Sequence, residues 1–133
     1  MSIVLDKGLR GSTCLNRVEE EHTARSIGSG SLNVLATPVL AGLLEKAACD
    51  ALEPVLESGT TSVGSFLEIR HTAPTPMGMS VSVEAELVEV DGRMLTFRIE
   101  AHDDAEQIGS ATHQRVLVDE KRFIEKADRK TKQ

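Results

Sequence analysis

One long helix, built from small and aliphatic side chains, is the feature that most constrains the fold of this chain. Pro38 suits the first turn of a helix, where its missing N–H costs no hydrogen bond, and Thr37 before it is a candidate N-cap. Pro54 and Gly59 mark the exit. The apolar residues at helical spacing are Val39, Leu40, Leu43, Leu44, Ala47, Ala48, Ala51 and Leu52. Because this arc is too wide for a surface helix, we expect other structure to wrap it.

Strands are predicted on both sides of the helix. Segment 11–23 alternates loosely and predicts a first strand, while the Gly- and Ser-rich segment 27–33 predicts a loop. Four further strands are predicted at 60–72, 79–90, 94–102 and 107–118, with a hairpin signal at 91–93. This order predicts an α+β domain of the hotdog type, a curved antiparallel sheet of about five strands around one central helix. The exposed edges of such a sheet favour pairing into a dimer.

Composition excludes several classes of protein. The net charge of −6 over 133 residues argues against nucleic-acid binding, although segment 120–133 is basic. We therefore divide the chain into one domain, 1–119, and a basic tail, 120–133. Cys14 and Cys49 form no paired motif, the start lacks the pattern of a signal peptide, and no stretch is apolar enough to span a membrane. These features predict a cytoplasmic protein that binds no membrane.

Glu45 is the most informative candidate for chemistry. Helix geometry places it at the border of the apolar arc, beside the small residues Ala41, Gly42 and Cys49. A partly buried carboxylate there could serve as a general base or nucleophile. The plainer interpretation is a helix-edge glutamate that reaches solvent.

His71 and Thr37 also have both functional and structural interpretations. His71 ends a predicted strand and precedes a turn that Pro74 and Pro76 make rigid. Thr37 lies at the start of the helix, where free N–H groups can stabilise a developing oxyanion. His22, His102 and His113 show no metal-ligand spacing, so no metal is expected.

Three segments together resemble the fluoroacetyl-CoA thioesterase family of hotdog proteins. They read A-T-P-V-L-A-G-L-L-E-K-A-A, G-S-F-L-E-I-R-H-T-A-P-T-P-M-G and A-H-D-D-A-E-Q-I-G-S-A-T-H-Q-R. The resemblance covers roughly residues 8–123 and preserves spacing as well as composition. It implies an acyl-CoA thioesterase without a metal or redox cofactor. It also implies a homodimer, or a tetramer of two such dimers, with active sites at the subunit interface.

The resemblance also assigns roles to single residues. Glu45 would act as base or nucleophile, His71 as the proton-transfer partner, and Thr37 as a positioning or activating hydroxyl. Gly64, seven residues before His71, would lie near the substrate, and Arg115 would contact it.

The predicted lid departs from the pattern of the fluoroacetyl-specific enzyme. That enzyme carries Phe residues before its catalytic Thr, whereas segment 27–36 of this chain contains no aromatic residue. Leu32, Val34 and Leu35 are the apolar residues left to line such a lid and contact the substrate. The resemblance therefore implies a different acyl preference.

Three other functions remain open from the sequence. A hotdog dimer could bind acyl-CoA or a related ligand without hydrolysing it. A hotdog hydratase or dehydratase would need a neighbouring Asp and His near the helix start, and none stands out. A purely structural dimerisation module would leave the joint spacing of Thr37, Glu45 and His71 unexplained.

Overall fold

The computed structural model describes residues 5–132 as one sheet wrapped around a long helix. The strands are β1 (Arg10–Leu15), β2 (Thr60–His71), β3 (Val81–Asp91), β4 (Met94–Asp103) and β5 (Gln107–Asp119). The α-helices are α1 (Ala24–Ile27), α2 (Thr37–Leu52) and α3 (Glu120–Asp128), and 3₁₀ turns occupy Glu20–His22, Glu53–Val55 and Arg129–Lys132. All strand pairs are antiparallel, in the order β1-β3-β4-β5-β2. The predicted fold class is confirmed.

Helix α2 packs its apolar arc against the concave face of the sheet. Its buried members are Leu40, Leu44, Ala47, Ala48, Ala51 and Leu52. Gly11 on β1 allows the closest approach, because a Cβ at this position would lie 2.4 Å from the Ala47 carbonyl oxygen and 2.3 Å from the Ala51 backbone nitrogen. Small residues on both elements therefore determine how deeply the helix sits in the sheet.

Two predictions about local structure are wrong. Thr37 is not the N-cap of α2: Ala36 occupies that position, because the Thr37 hydroxyl contacts His71 instead of a helix N–H. The first strand ends at Leu15 rather than at residue 23. Beyond it, the backbone turns at Glu20–His22, and the Thr23 side chain accepts from Ser26 N–H to cap α1.

The rest of the core comes from alternating residues of β3, β4 and β5. Val81, Val83, Ala85 and Leu87 face inward from β3, and Leu95, Phe97, Ile99 and Ala101 face inward from β4. A two-residue turn joins these strands, with Gly92 at φ 60° as the left-handed backbone requires. The predicted alternation and hairpin are thus confirmed.

The sheet ends in two edge strands, β1 and β2. Strand β2 is twelve residues long, and Phe66 in its middle is 47% exposed. A long edge with an exposed aromatic side chain is a surface suited to pairing with another strand.

Residues 5–132 contain no helix that is both long and apolar enough to cross a membrane. No cluster of three or more His, Cys, Asp or Glu side chains suited to a metal ion occurs within the same range.

Candidate active site

Thr37 and His71 meet where the start of α2 faces the end of β2. Thr37 Oγ1 lies 2.7 Å from His71 Nδ1, a hydrogen bond between residues 34 positions apart. The pair joins two of the three residues that the sequence identified as candidates for catalysis.

The second ring nitrogen of His71 has a different environment. Nε2 is buried and has no hydrogen-bond partner within residues 5–132. Burial lowers the pKa of His71 below its usual 6.5, so the ring is neutral at pH 7. A half-buried, neutral imidazole with one free nitrogen is well placed to exchange a proton with a ligand or a neighbouring group.

A cleft of about 280 Å³ opens beside this pair. Val34 and Leu35 contribute apolar surface to it, whereas Leu32 is 67% exposed outside it. The lid segment is attached to the Pro-rich turn, since Leu35 N–H donates to the Thr75 carbonyl and Val34 forms a bridge with Pro76. Lid, turn and His71 therefore form one connected wall.

Glu45 lies in a second cluster, two helical turns further along α2. Its side chain is 45% exposed, and Oε2 lies 3.4 Å from Arg115 Nη1 and 3.9 Å from His113 Nε2. The contact with Arg115 is an ion pair. The contact with His113 is not, because the pKa of this histidine lies below its usual 6.5, chiefly owing to burial.

Gly64 makes room for the Glu45 carboxylate. A Cβ at this position would lie 2.6 Å from Glu45 Oε2 and 3.3 Å from His113 Cε1. A larger residue at position 64 would displace the carboxylate, so this glycine allows Glu45 to take its present position.

A β-bulge places Gly64 on the same face as His71. Residues seven apart on a regular strand point to opposite faces. The register of β2 against β5 shifts between Gly64 and Phe66, so that Gly64 pairs with Arg115 and His71 pairs with Gly109. The bulge restores a common inward direction for both residues.

The two clusters are separate within one chain. Gly64 and His71 are seven residues apart on β2, which separates their backbones by roughly 20 Å. Thr37 and Glu45 are eight residues apart on α2, roughly 12 Å along the axis. One cluster holds Thr37 and His71, and the other holds Glu45, Gly64 and Arg115.

His113 and Ser62 also belong to this second cluster, although no motif in the sequence marks either of them as a site residue. Arg115 Nε donates to Ser62 Oγ at 2.7 Å, and Nη2 donates to the Ser62 carbonyl at 3.1 Å. The available signal was the alternation of β5, in which His113 and Arg115 occupy the same inward-facing series as Ala111 and Leu117. A charged residue in such a series needs buried partners.

Comparison with known proteins supports a single family. The sequence profile described as "Fluoroacetyl-CoA-specific thioesterase" matches residues 18–121. The fluoroacetyl-CoA thioesterase of Streptantibioticus cattleyicolor is 44% identical over 98 residues, which cover 74% of this chain and 70% of that protein.

Solved structures agree with the sequence match. A crystal structure of a mutant fluoroacetyl-CoA-specific thioesterase superposes with a TM-score of 0.87 at 35% identity, covering 97% of this chain and 99% of the other. A Thermus thermophilus protein, described as a thioesterase superfamily member, superposes with a TM-score of 0.86 at 28% identity, covering 96% and 93%. The chain therefore belongs to the fluoroacetyl-CoA-specific thioesterase family of hotdog-fold proteins.

Proposed function

We propose that this protein is an acyl-CoA thioesterase that hydrolyses a small acyl-CoA to the free acid and coenzyme A. The observation that carries the proposal is the arrangement of Thr37, His71 and Glu45. A neutral histidine is hydrogen-bonded to a hydroxyl, and a carboxylate lies where the absence of a side chain at Gly64 leaves room for it. The family relationship supports the same chemistry.

The reaction needs a nucleophile at the thioester carbonyl and a proton for the departing sulfur. Glu45 either activates a water molecule or attacks the carbonyl itself, forming an anhydride that water then opens. In the first route Glu45 takes a proton from the attacking water, and neutral His71 accepts this proton on Nε2 and passes it to the thiolate as the C–S bond breaks. In the anhydride route the thiolate leaves first, and His71 Nε2 passes it a proton from the water that opens the anhydride. The net change adds one water molecule and releases a carboxylic acid and a thiol.

The complete site, in this proposal, needs a homodimer. Strand β2 is an exposed edge, and a second copy of β2 can pair with it antiparallel across a twofold axis. An axis midway between Gly64 and His71 sets Gly64 of one subunit opposite His71 of the other. Two equivalent sites result, each with Glu45 from one chain and the Thr37–His71 pair from its partner.

The unpartnered His71 Nε2 supports this arrangement. A buried polar atom normally has a hydrogen-bond partner, and none is provided within residues 5–132. The second subunit or the substrate would supply one.

The acyl group is proposed to be small, with no selectivity for fluoroacetyl over other small acyl groups. The lid segment 27–36 carries no aromatic residue, and the cleft beside His71 is lined by Val34 and Leu35 among others. We expect the enzyme to discriminate weakly between acetyl and fluoroacetyl groups.

A thiol-release assay tests the proposal. Acetyl-, fluoroacetyl-, propionyl-, butyryl- and phenylacetyl-CoA are assayed with wild-type enzyme and with Glu45→Gln. Loss of the carboxylate is expected to lower kcat at least about 10²-fold, the usual contribution of a general base. Glu100→Gln, an exposed carboxylate on the outer face of β4, is the matched control. Absence of turnover on every substrate would reject the proposal in favour of a non-catalytic acyl-CoA-binding dimer. Full activity of Glu45→Gln would reject Glu45 as the base or nucleophile.

A further inference from the structure

His113 is a buried histidine whose two ring nitrogens both have defined partners. It lies on β5, is 1% exposed, and contacts neither Thr37 nor His71 through a hydrogen bond. Nδ1 is 2.8 Å from the carbonyl oxygen of Phe66. Because a carbonyl oxygen can only accept, Nδ1 must carry a proton.

The other nitrogen faces a cation. Nε2 lies 3.1 Å from Arg115 Nη1, and a guanidinium group can only donate. Nε2 therefore presents its lone pair and carries no proton. Both partners select the same form of the ring, the neutral tautomer protonated on Nδ1.

Arg115 forms hydrogen bonds to three residues: Ser62, His113 and Glu45. Ser62 accepts from its Nε and Nη2 atoms, and His113 accepts from Nη1. Nη1 also donates to Glu45 Oε2 at 3.4 Å. Since Arg115 is only 6% exposed, it donates its hydrogen bonds to neighbouring residues of this chain rather than to solvent.

We propose that His113 is a positioning residue for the thioesterase reaction. By accepting from Arg115 while donating to Phe66, it fixes the guanidinium edge against the Glu45 carboxylate and so sets the direction of that carboxylate. The β2 bulge is part of the arrangement, because Phe66 follows the bulge and contributes the carbonyl that selects the tautomer. The catalytic part of the inference rests on the proposed hydrolysis, whereas the tautomer does not.

Nitrogen-15 NMR of the histidine side chains tests the tautomer directly in the wild-type protein. The His113 ring, assigned by its absence in His113→Gln, should show a protonated Nδ1 and an unprotonated Nε2 at pH 7. A ring protonated on Nε2, or on both nitrogens, overturns the proposal. This measurement requires no turnover, so it stands even if the protein proves not to be a hydrolase.

Kinetics test the positioning role. His113→Leu removes the acceptor, and kcat is expected to fall about tenfold or more while KM changes by less than about twofold, since only catalytic geometry is disturbed. His113→Gln offers an amide oxygen to Arg115 and should recover most of the lost kcat. His102→Gln, an exposed histidine on β4, is the control for histidine removal as such.

A merely structural role predicts a different pattern. It would lower thermal stability and active fraction in both variants without the recovery by glutamine. Wild-type kcat in His113→Leu, or equal losses of kcat in the leucine and glutamine variants, overturns the proposal. If His113→Leu does not fold, the proposal is still tested by the tautomer of His113 in the wild-type protein and by the kcat of His113→Gln.

Discussion

At the scale of single residues, Thr37 and His113 each form a hydrogen bond to another side chain of the site, His71 and Arg115 respectively. Thr37 does not cap α2, as its position at the start of the helix suggested. Its hydroxyl is hydrogen-bonded to His71 Nδ1 instead. His113 stood out for nothing in the sequence except an inward-facing position, yet it connects Phe66 to Arg115. In both cases a long-range partner determines what the residue does.

The Thr37 hydroxyl can be tested by a pair of substitutions. Thr37→Val keeps the shape of the side chain but removes the hydrogen bond to His71, and we expect kcat to fall about 10- to 100-fold. Thr37→Ser keeps the hydroxyl and should retain most of the activity. The measurement is steady-state thiol release. Equal activity of the valine and serine variants would show that the 2.7 Å contact with His71 has no catalytic consequence.

Gly64 gives a second test at this scale. Gly64→Ala would place a Cβ 2.6 Å from Glu45 Oε2, so the carboxylate must move. We expect kcat to fall about tenfold or more with little loss of stability, because Glu45 is half exposed and can rotate away. Thiol release and thermal unfolding are measured together. Undiminished kcat would mean that the present Glu45 rotamer is not the one used in catalysis.

At the scale of elements, the Pro-rich turn after β2 connects His71, which precedes it in the chain, to the lid segment, which is hydrogen-bonded to it. Buried Thr75 links the turn to β4 by donating to Asp103 Oδ2 at 2.9 Å. Asp103 Oδ1 accepts from the backbone N–H groups of Ala105 and Glu106. One carboxylate thus joins the β4–β5 hairpin to the turn that carries the lid.

The pKa of Asp103 predicts how this connection depends on pH. Burial raises the pKa, but hydrogen bonds from Ala105, Thr75 and Glu106 outweigh it, aided by nearby His102. The pKa in the folded state is therefore below the usual 3.8, and the unfolded chain binds the proton first as pH falls. The stabilisation is complete well above pH 3.8 and is lost as pH falls through the folded-state pKa.

Asp103→Ala is expected to lower the free energy of unfolding by about 1–3 kcal/mol at pH 7, the cost of leaving its donors unpaired. Urea unfolding at several pH values measures the difference from wild type. Glu106→Ala, an exposed neighbour, is the matched control. The difference should shrink as pH falls below 3.8, where Asp103 becomes protonated first in the unfolded chain and then in the folded protein. A difference that is constant across this range would contradict the assigned role of the Asp103 charge.

At the scale of the whole molecule, the separation of the two clusters is the feature with the largest functional consequence. The Thr37–His71 pair lies at the end of β2, whereas the Glu45–Gly64 pair lies beside the β2 bulge, seven residues before His71. A shared site requires two copies of this edge strand to pair. The dimer is therefore proposed from where the residues lie, as well as from the family resemblance.

Mixing two inactive variants tests this shared site. Glu45→Gln and His71→Ala are purified separately, and each is expected to be nearly inactive. After the subunits exchange, half of the dimers contain one of each variant, and each such dimer has one intact site, so activity should recover to about a quarter of wild type. The readout is thiol release before and after exchange, with dimer formation followed by light scattering. No recovery in demonstrably mixed dimers would place both residues in a site within one chain.

Local patterns in the sequence predict the long helix and the five strands of this protein in their correct order. Helix α2 and strands β3 and β4 follow from periodicities of 3.6 and 2, which are local properties of neighbouring residues. Local pattern also placed Glu45 at the open border of α2 and His71 at the end of β2. The first strand was overextended, because turn and capping contacts around Glu20–Thr23 compete with a weak alternation.

The way in which these elements combine into a candidate site depends on contacts between residues far apart in the sequence. The contact of Thr37 with His71 spans 34 residues, and that of Arg115 with Glu45 spans 70. The bulge after Gly64 reverses which residues face inward, and it is visible only in the register of β2 against β5. The tautomer of His113 likewise depends on the Phe66 carbonyl, 47 residues away in the chain, together with Arg115 on the same strand. Such contacts depend on strand register and packing, which no local pattern in the sequence encodes.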